Sequence, residues 1–580
     1  MKKWDVLKKF KVQRSPPKAD QPLAEKFKIG DIVNILLENR GLKTKKDIET
    51  FLNPPQPSSL TPKDVGIDKT SLAKAVKRIQ EAIRGKESVV VYADYDADGI
   101  TAGAVMWETL HLLGATVMPY IPHRVEEGYG LSIKGIDAVR EQFDPSLIIT
   151  VDHGITAWEK VAYAKKFGID VIVTDHHVKP AKLPDSVIVH TTKLSGAGVS
   201  WFLAKELLKT YHVSRITYHD ELLALAAIGT IADMVPLVGP NRAMVKYGLA
   251  GINTTTRVGL EALMVDAGLT KGALDVYAVS HMLAPRLNAM GRLEHAMDAL
   301  RLLCTKQKEK ATLLAQKLGM TNRDRQKLTE ETLIHAVGVV KGQALALEGL
   351  ALSKARKLLF VVDSSYNQGV IGLVAGKLVE AYYRPAIVVS KGEVYSKASA
   401  RSIHGFNIVE AIRSCSDILV DVGGHPMAAG FTVETRHLDE LQERLEKLAD
   451  KELSEDKLTR MLTIDVEIPL ELVTPELYQT IQKLQPFGFG NPEPVFVTRS
   501  VKATEARLVG ADGKHLKLRF HSSLHTPHSA LTIDAIAFNF GSLYGKLQEK
   551  PDVDIAYTIS LDTWNGSQRL QLKVKDIHLQ

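Results

Sequence analysis

Cysteine is almost missing: Cys304 and Cys415 are the two in 580 residues. Their wide separation excludes a disulfide framework and a thiolate-ligated zinc site, and it points to a reducing compartment, the cytoplasm. No apolar run of membrane-span length goes uninterrupted. The nearest, 222–239, contains Gly229, Asp233 and Pro236, so a buried helix running into a loop is expected there and no membrane association. The basic start Met1-Lys2-Lys3-Trp4 meets Lys8, Lys9, Lys11 and Arg14 before any apolar segment develops, so no export signal is expected. Low-complexity tracts are absent, because the 41 glycines and 24 prolines are dispersed. No repeat period emerges, which argues against a solenoid. Charge of one sign is only mildly in excess: a net +7 permits polyanion binding without establishing it.

What is present is ordinary globular material, 45% hydrophobic and 24% charged, in a chain long enough for roughly three or four domains. The pattern suggests five segments. Residues 1–70, with Pro16-Pro17 and Pro54-Pro55-Gln56-Pro57, read as a small helical extension of undefined role. Residues 71–245 alternate strands and helices, residues 246–345 are a helical connector with one long helix over 307–341, and residues 346–453 form a second α/β unit opening at Lys357–Val362. Residues 460–580 carry short alternating strands such as Leu516-Lys517-Leu518-Arg519-Phe520, which suits a small barrel. The fold class is therefore α/β, two lobes joined by a long helix, followed by a β-barrel.

Three β-branched runs, at 88–92, 147–151 and 170–174, are each followed by acid: Asp94-Tyr95-Asp96-Ala97-Asp98-Gly99, Asp152-His153-Gly154 and Asp175-His176-His177. Continuous apolar runs of this kind are buried parallel strands, and functional groups collect beyond the carboxyl ends of such strands. Taken alone, the triple-acid loop fits a calcium turn or a helix cap, and a His-His pair is usually incidental. Taken together, the clusters gather like charges that need cations. Carboxylate oxygens joined by imidazole suit Mn²⁺ or Mg²⁺ better than thiolate-preferring metals. Asp233, at the end of an apolar segment, joins them on the ground that a buried charge must be paired or metal-bound. Two ions about 3.5–4 Å apart would activate one water for phosphodiester hydrolysis.

These motifs resemble the signatures of the DHH phosphoesterases. Gly128-Tyr129-Gly130-Leu131, Gly229-Thr230-Ile231-Ala232-Asp233, Arg286-Leu287-Asn288-Ala289-Met290-Gly291-Arg292, Gly423-Gly424-His425 and Ala428-Ala429-Gly430 narrow the resemblance to the RecJ-like branch. The resemblance implies a DHH catalytic domain over 71–245, a DHH-associated substrate-binding domain over 346–453, and an OB-fold entered at Leu484–Phe496. It also implies a metal-dependent exonuclease that degrades single-stranded DNA from its 5′ end to 5′-mononucleotides, in repair and recombination.

Asp96, Asp98, Asp152, His176 and Asp233 would be metal ligands, with Asp152 the bridge; Asp94 would be a further ligand, and His177 a ligand or positioning group. Ser399, Arg401 and His425 would grip phosphate, the arginine by its planar fork. Arg286 and Asn288 would either add to that cleft or form a structural network. Gly196-Ala197-Gly198 lacks the Gly-Lys-Ser/Thr ending of a Walker loop, so helix packing is expected there and no ATP dependence. On the barrel, Lys517, Arg519, Phe520 and Trp564 are candidates for tracking a strand, with core packing the alternative for each aromatic. Single-strand-binding protein and a helicase are the implied partners of a monomer.

The chain departs from the family at Val189-His190-Thr191-Thr192, where Asn-Pro is usual, and at Tyr366-Asn367, where Trp-His is common. Competing readings are a hydrolase of short oligonucleotides, cyclic dinucleotides or pyrophosphate with the same metal cluster, and a binding scaffold without chemistry.

Overall fold

Strand β1 (Lys3–Lys9) and helix α1 (Ile29–Asn39) open the chain but belong with its far end. The computed structural model describes residues 2–9, 29–211, 216–345, 356–521, 532–562 and 568–580. They form two compact units, one of Gln56–Val235 with Gly239–Thr459, the other of Met1–Pro55, Pro236–Val238 and Arg460–Gln580.

In the larger unit, helix α2 (Lys69–Gly85) places Leu72, Ala75, Val76, Ile79 and Ala82 on one buried face, the spacing of an amphipathic helix. Asp68 caps its start by accepting from the Ser71 N–H at 2.7 Å. Five strands follow: β2 (Ser88–Ala93), β3 (Thr116–Tyr120), β4 (Leu147–Val151), β5 (Asp170–Asp175) and β6 (Val187–His190). All pair in parallel in the order β3-β2-β4-β5-β6. The Val/Ile content of β2, β4 and β5 is explained by their burial on both faces.

The chain leaves β2 for β3 on one side and returns to β4 on the other, so the switch point of this sheet lies at the carboxyl ends of β2 and β4. Helices α3 (Ala97–Leu112), α4 (Gly196–Thr210) and α5 (Ile216–Ala232) pack on one another, and the 222–239 stretch proves to be the buried end of α5 and the loop after it. Among the described residues no helix is long and apolar enough to cross a membrane.

Helix α6 (Ala284–Leu293) precedes the long helix α7 (Lys308–Leu345), which at 38 residues spans roughly 57 Å and leads into the second sheet. Strand β7 (Leu359–Asp363), helix α8 (Ile371–Tyr382) and strands β8 (Ala386–Ser390), β9 (Tyr395–Arg401), β10 (Leu419–His425) and β11 (Ala428–Glu434) build a sheet of order β10-β11-β9-β8-β7. Only β7 and β8 are parallel. The amphipathic helix α9 (Leu438–Glu452) covers it with Leu441, Leu445 and Ala449.

The smaller unit contains β12 (Met461–Glu467), β13 (Phe496–Val509), β14 (His515–His521), β15 (Thr532–Ala537), β16 (Asp552–Asp562) and β17 (Arg569–Leu579). Pairing of β13 with both β14 and β16 closes a five-stranded barrel, and β12 and β1 extend it in parallel. The expectation of a helical extension over 1–70 is therefore corrected at its start. Trp4 and Val6 alternate with Lys3, Asp5 and Leu7, and the two apolar side chains pack against Ile464, Val497 and Ala556. A period of two was readable, but its pairing partner lay at the other end of the chain.

The barrel also corrects two surface candidates. Phe520 is wholly buried core, and Arg519 is tied to Asp534 at 2.9 Å and Glu505 at 2.6 Å. Lys517 stays partly exposed, 3.9 Å from Asp562, and Trp564 lies outside the described residues.

Candidate metal centre and substrate cleft

The acidic loop leaves β2 at its carboxyl end and turns at once into α3, and Asp96 caps that helix by accepting from Gly99 N–H at 3.0 Å. The cap and the candidate ligand are thus the same residue. Asp94 is buried, its Oδ1 has no hydrogen-bond partner among the described residues, and burial followed by the Asp96 charge pushes its carboxyl far up. Asp98 is fixed more firmly: it accepts from the amides of Gly196 at 2.7 Å and Ala197 at 2.9 Å, the first residues of α4. The Gly196-Ala197-Gly198 segment is therefore helix start and carboxylate holder, not a phosphate loop.

Asp152 follows β4 in the left-handed region, φ 67°, an unusual backbone for a non-glycine residue. A Cβ on Gly196 would stand 2.5 Å from its Cβ, so that glycine makes room for the carboxylate. Burial, then Asp98, Asp96 and Asp233, push Asp152 well above the carboxylate range, and its Oδ1 has no hydrogen-bond partner among the described residues. His176 brings Nε2 within 3.1 Å of Asp152 Oδ1, 3.5 Å of Asp233 Oδ2 and 3.9 Å of Asp98 Oδ2. Burial, then His177, lower it to about 4, so it is a neutral imidazole. Asp233 ends α5, raised to about 9 by burial and then by Asp98 and Asp96.

The structure thus gathers Asp94, Asp96, Asp98, Asp152, His176 and Asp233, and three ligand triads have their donor atoms within 4.8 Å: Asp94/Asp96/Asp152, Asp98/His176/Asp233 and Asp152/His176/His177. Orphaned buried oxygens on Asp94 and Asp152 beside an orphaned His176 Nε2 form an oxygen-rich donor set whose charges repel unless divalent cations lie between them. The residues fit a pair of hard divalent ions.

The strand-end acid of the third cluster does different work. Asp175 Oδ1 accepts from the amides of His176 and His177 and from His177 Nδ1 at 2.8 Å, and its Oδ2 accepts from Ile155 N–H. Although burial opposes it, the hydrogen bonds and charge of His177 hold Asp175 well below the usual range. His177 in turn is raised: burial works against its charge, and the bond to Asp175 outweighs it. His153 points away, its Nε2 bonded to Tyr92 O at 3.0 Å, with burial lowering it to about 4. At the family departure, His190 Nε2 donates to His177 O at 2.7 Å, and Thr191 donates to Val65 O. Both hold loops.

In the second sheet, Arg401 and Ser399 sit on β9 and His425 at the end of β10; the His425 ring lies parallel to that of His177, centroids 6.3 Å apart. The two α/β lobes of this unit therefore face each other across the metal site. Arg286 and Asn288 need a correction. Arg286 is bound to Asp266, Nε to Oδ2 at 2.9 Å, and Asn288 Oδ1 accepts from Ala97 N–H at 2.8 Å. The first braces α6 and the second braces the acidic loop, so the structural alternative is the one their contacts describe.

Sequence reasoning missed Arg124 and Arg325 altogether, and quoted Arg292 in a motif without assigning it. Arg292 is half-buried with Arg124, Arg325 and Arg401 around it. Its signal was the motif's final arginine, three residues after the helix-packing Ala289. At Tyr366-Asn367 the tyrosine is buried and shares a hydrogen bond with His335 at 2.8 Å, while Asn367 caps the turn before α8 through Gly369 N–H.

Family models match in the order of these elements: the DHH family, N-terminal domain over residues 88–230, the DHHA1 domain over 355–451 and the RecJ OB domain over 464–576. The chain is 36% identical over 98% of its length to the single-stranded-DNA-specific exonuclease RecJ of Bacillus subtilis, covering 70% of that protein. It is 32% identical to that of Thermus thermophilus, covering 78%. A crystal structure of the T. thermophilus RecJ in complex with Mn²⁺ superposes with a TM-score of 0.80 at 31% identity, over 99% of this chain and 79% of that one. A Mg²⁺ complex of the same protein gives 0.74. The motif order, the shared architecture and identity along nearly its whole length show that the chain belongs to the RecJ family of single-stranded-DNA-specific exonucleases.

Proposed function

We propose that this protein hydrolyses single-stranded DNA from the 5′ end, releasing 5′-mononucleotides in DNA repair and recombination. The observation that carries the chemistry is the convergence of five carboxylates and a neutral imidazole at the switch point of a parallel sheet. Asp94, Asp96, Asp98, Asp152, His176 and Asp233 would hold the divalent ions, Mn²⁺ or Mg²⁺. When bound, the pair supplies an acidified water and takes up charge on the attacked phosphoryl group.

The protein residues do the rest. Asp175 fixes the 176–177 segment by accepting from both amides and from the His177 ring, while burial and then His177 keep the His176 imidazole neutral. His177, whose charged form the bond to Asp175 favours against burial, lies with its ring parallel to that of His425. Arg401 and Ser399 grip the phosphate of the terminal nucleotide, which sets the distance from the strand's end to the cut and so makes the enzyme exonucleolytic. The barrel, with Lys517 on its surface, adds a sequence-blind hold on the strand. Two free cysteines favour the cytoplasm; a monomer fed by a helicase and single-strand-binding protein is the working context.

An oligonucleotide labelled separately at each end and incubated with each metal tests polarity and cofactor together. Label loss from the 5′ end first, with blunt duplex spared, is the expected result. Equal digestion of duplex would overturn the reading.

A further inference from the structure

Two hydroxyls stand in the apolar parallel strands that carry the acids. Thr150 in β4 and Thr174 in β5 are wholly buried among Val and Ile, where valine has the same shape without the polar atom. A buried hydroxyl is costly unless it is hydrogen-bonded, and both of these are. Thr150 Oγ1 donates to His153 O at 2.8 Å, and Thr174 Oγ1 donates to Thr150 O at 2.8 Å. Along the chain the two threonines read only as members of β-branched runs.

Their bonds converge on one turn. Asp152 has φ 67° and Gly154 φ 112°, so the chain leaves β4 through two residues of positive φ within three positions. A non-glycine residue in that region is strained and persists only where its surroundings over-determine it. Here the Asp152 N–H donates to Thr174 O at 3.0 Å, the His153 carbonyl accepts from Thr150, and the His153 ring is bonded to Tyr92 O at 3.0 Å. The Ile155 N–H, just beyond, donates to Asp175 Oδ2 at 2.8 Å. A Cβ on Gly154 would stand 2.7 Å from Thr150 Oγ1, so the glycine leaves the hydroxyl its place under the turn.

The carboxylate of Asp152 has no comparable hold of its own. Asp98 is gripped by the amides of Gly196 and Ala197, whereas Asp152 Oδ1 has no hydrogen-bond partner among the described residues. The direction in which Asp152 points is therefore set by its backbone, and the backbone by these bonds. We propose that Thr150 is a positioning residue for the metal centre: its hydroxyl keeps Asp152 in the left-handed turn that aims the carboxylate at the ions. The proposal rests on the reading that Asp152 is a metal ligand. Thr150 acts through the His153 carbonyl and touches neither ion nor DNA. One buried hydrogen bond shifts an equilibrium by a factor of roughly 2 to 12, and misplacing a reacting constellation by about 1 Å costs about 100-fold in rate.

Thr150→Val and Thr150→Ser in the full-length protein separate the hydroxyl from the methyl group. Valine, a strong β former, keeps the shape and loses the donor; serine keeps the donor and loses the methyl. Calorimetry with Mn²⁺, and hydrogen exchange of the 152–157 segment in EDTA, which needs neither metal nor turnover, are read beside kcat and KM on a single strand. For Thr150→Val the expected result is Mn²⁺ affinity at least about threefold weaker, exchange at least about threefold faster, and kcat at least about tenfold lower, with KM for DNA within about twofold of wild type. Thr150→Ser should stay within about threefold of wild type in all four quantities. Smaller changes than these in Thr150→Val, an effect of that variant chiefly on KM, or a serine variant as impaired as the valine one would overturn the proposal. A wild-type protein that binds no Mn²⁺, or an Asp152→Asn protein that binds it as tightly as wild type, would instead overturn the metal-ligand reading on which it stands.

Discussion

Gly229→Ala separates two forces that usually act together. Gly229 lies inside α5, where an alanine normally stabilises a helix by about 1 kcal/mol. Here the new Cβ would stand 2.6 Å from the Ala197 Cβ and closer still to Asp98 Oδ1 and Thr101 Oγ1. Contact distance between carbons is about 3.5–4.0 Å, so something must move by about 1 Å. The Ala197 N–H donates a hydrogen bond to Asp98 Oδ1, so a shift of either is passed to the carboxylate. Overpacking of this size costs about 1–3 kcal/mol, which makes the net effect on folding small, between roughly neutral and 2 kcal/mol destabilising. The effect on function is not small, because a displacement of about 1 Å in a reacting constellation costs about 100-fold in rate. Gly338→Ala is the control: it lies in α7 with nothing within 4 Å of its Cβ, and should gain about 1 kcal/mol with an unchanged rate. Urea denaturation, Mn²⁺ binding by calorimetry and release of nucleotide from a labelled single strand measure all three quantities. A Gly229→Ala protein that matched wild type in Mn²⁺ affinity and rate would refute the claim that this glycine exists to seat Asp98.

Asp152→Asn should abolish hydrolysis and Mn²⁺ binding, yet raise the melting temperature in EDTA, because it removes a carboxyl whose ionisation burial and then the Asp98 and Asp96 charges oppose; a lower melting temperature in EDTA would contradict that argument. In EDTA the native protein should also lose stability as pH rises from 7 to 9. Asp98, raised to about 7, and Asp233, raised to about 9, keep protons that the unfolded chain has already released. His176 and His153, lowered to about 4, act in the opposite sense only below about pH 6.5. A denaturation midpoint that climbs across pH 7–9 in EDTA, or that falls as steeply with Mn²⁺ present, would refute this. Arg257→Met, which strands Glu108 by removing a buried bidentate partner at 2.5 and 2.8 Å, should cost about 3–5 kcal/mol in urea denaturation with the rate per folded molecule unchanged. Adding Glu108→Leu should recover much of that loss; no recovery would argue that Arg257 acts through its bond to Leu303 O instead.

The ligands Asp94, Asp96, Asp98, Asp152, His176 and Asp233 were legible because each sits at the end of a segment whose periodicity is local. A buried parallel strand writes its own Val/Ile run, and the residue that follows it must lie at the sheet's carboxyl edge. The long helix α7 and the barrel strand β14 were readable for the same reason. Between cleft and structural network for Arg286 and Asn288, and between strand contact and core for Phe520, the sequence left both alternatives open, because residue type declares what a side chain is able to bind and not what stands opposite it. Asp266 is 20 positions from Arg286, and Ala97 is 191 from Asn288.

The sequence by itself thus determined the α/β strands, their acidic termini and the metal preference of the donor set, all of which follow from neighbours along the chain. Only the tertiary structure decided that β1 closes against β12, that α4 offers its amides to Asp98, and that Arg124, Arg292, Arg325 and Arg401 stand together. Those are contacts between distant segments, chosen by packing and by the need to satisfy buried polar groups, and no local pattern records them.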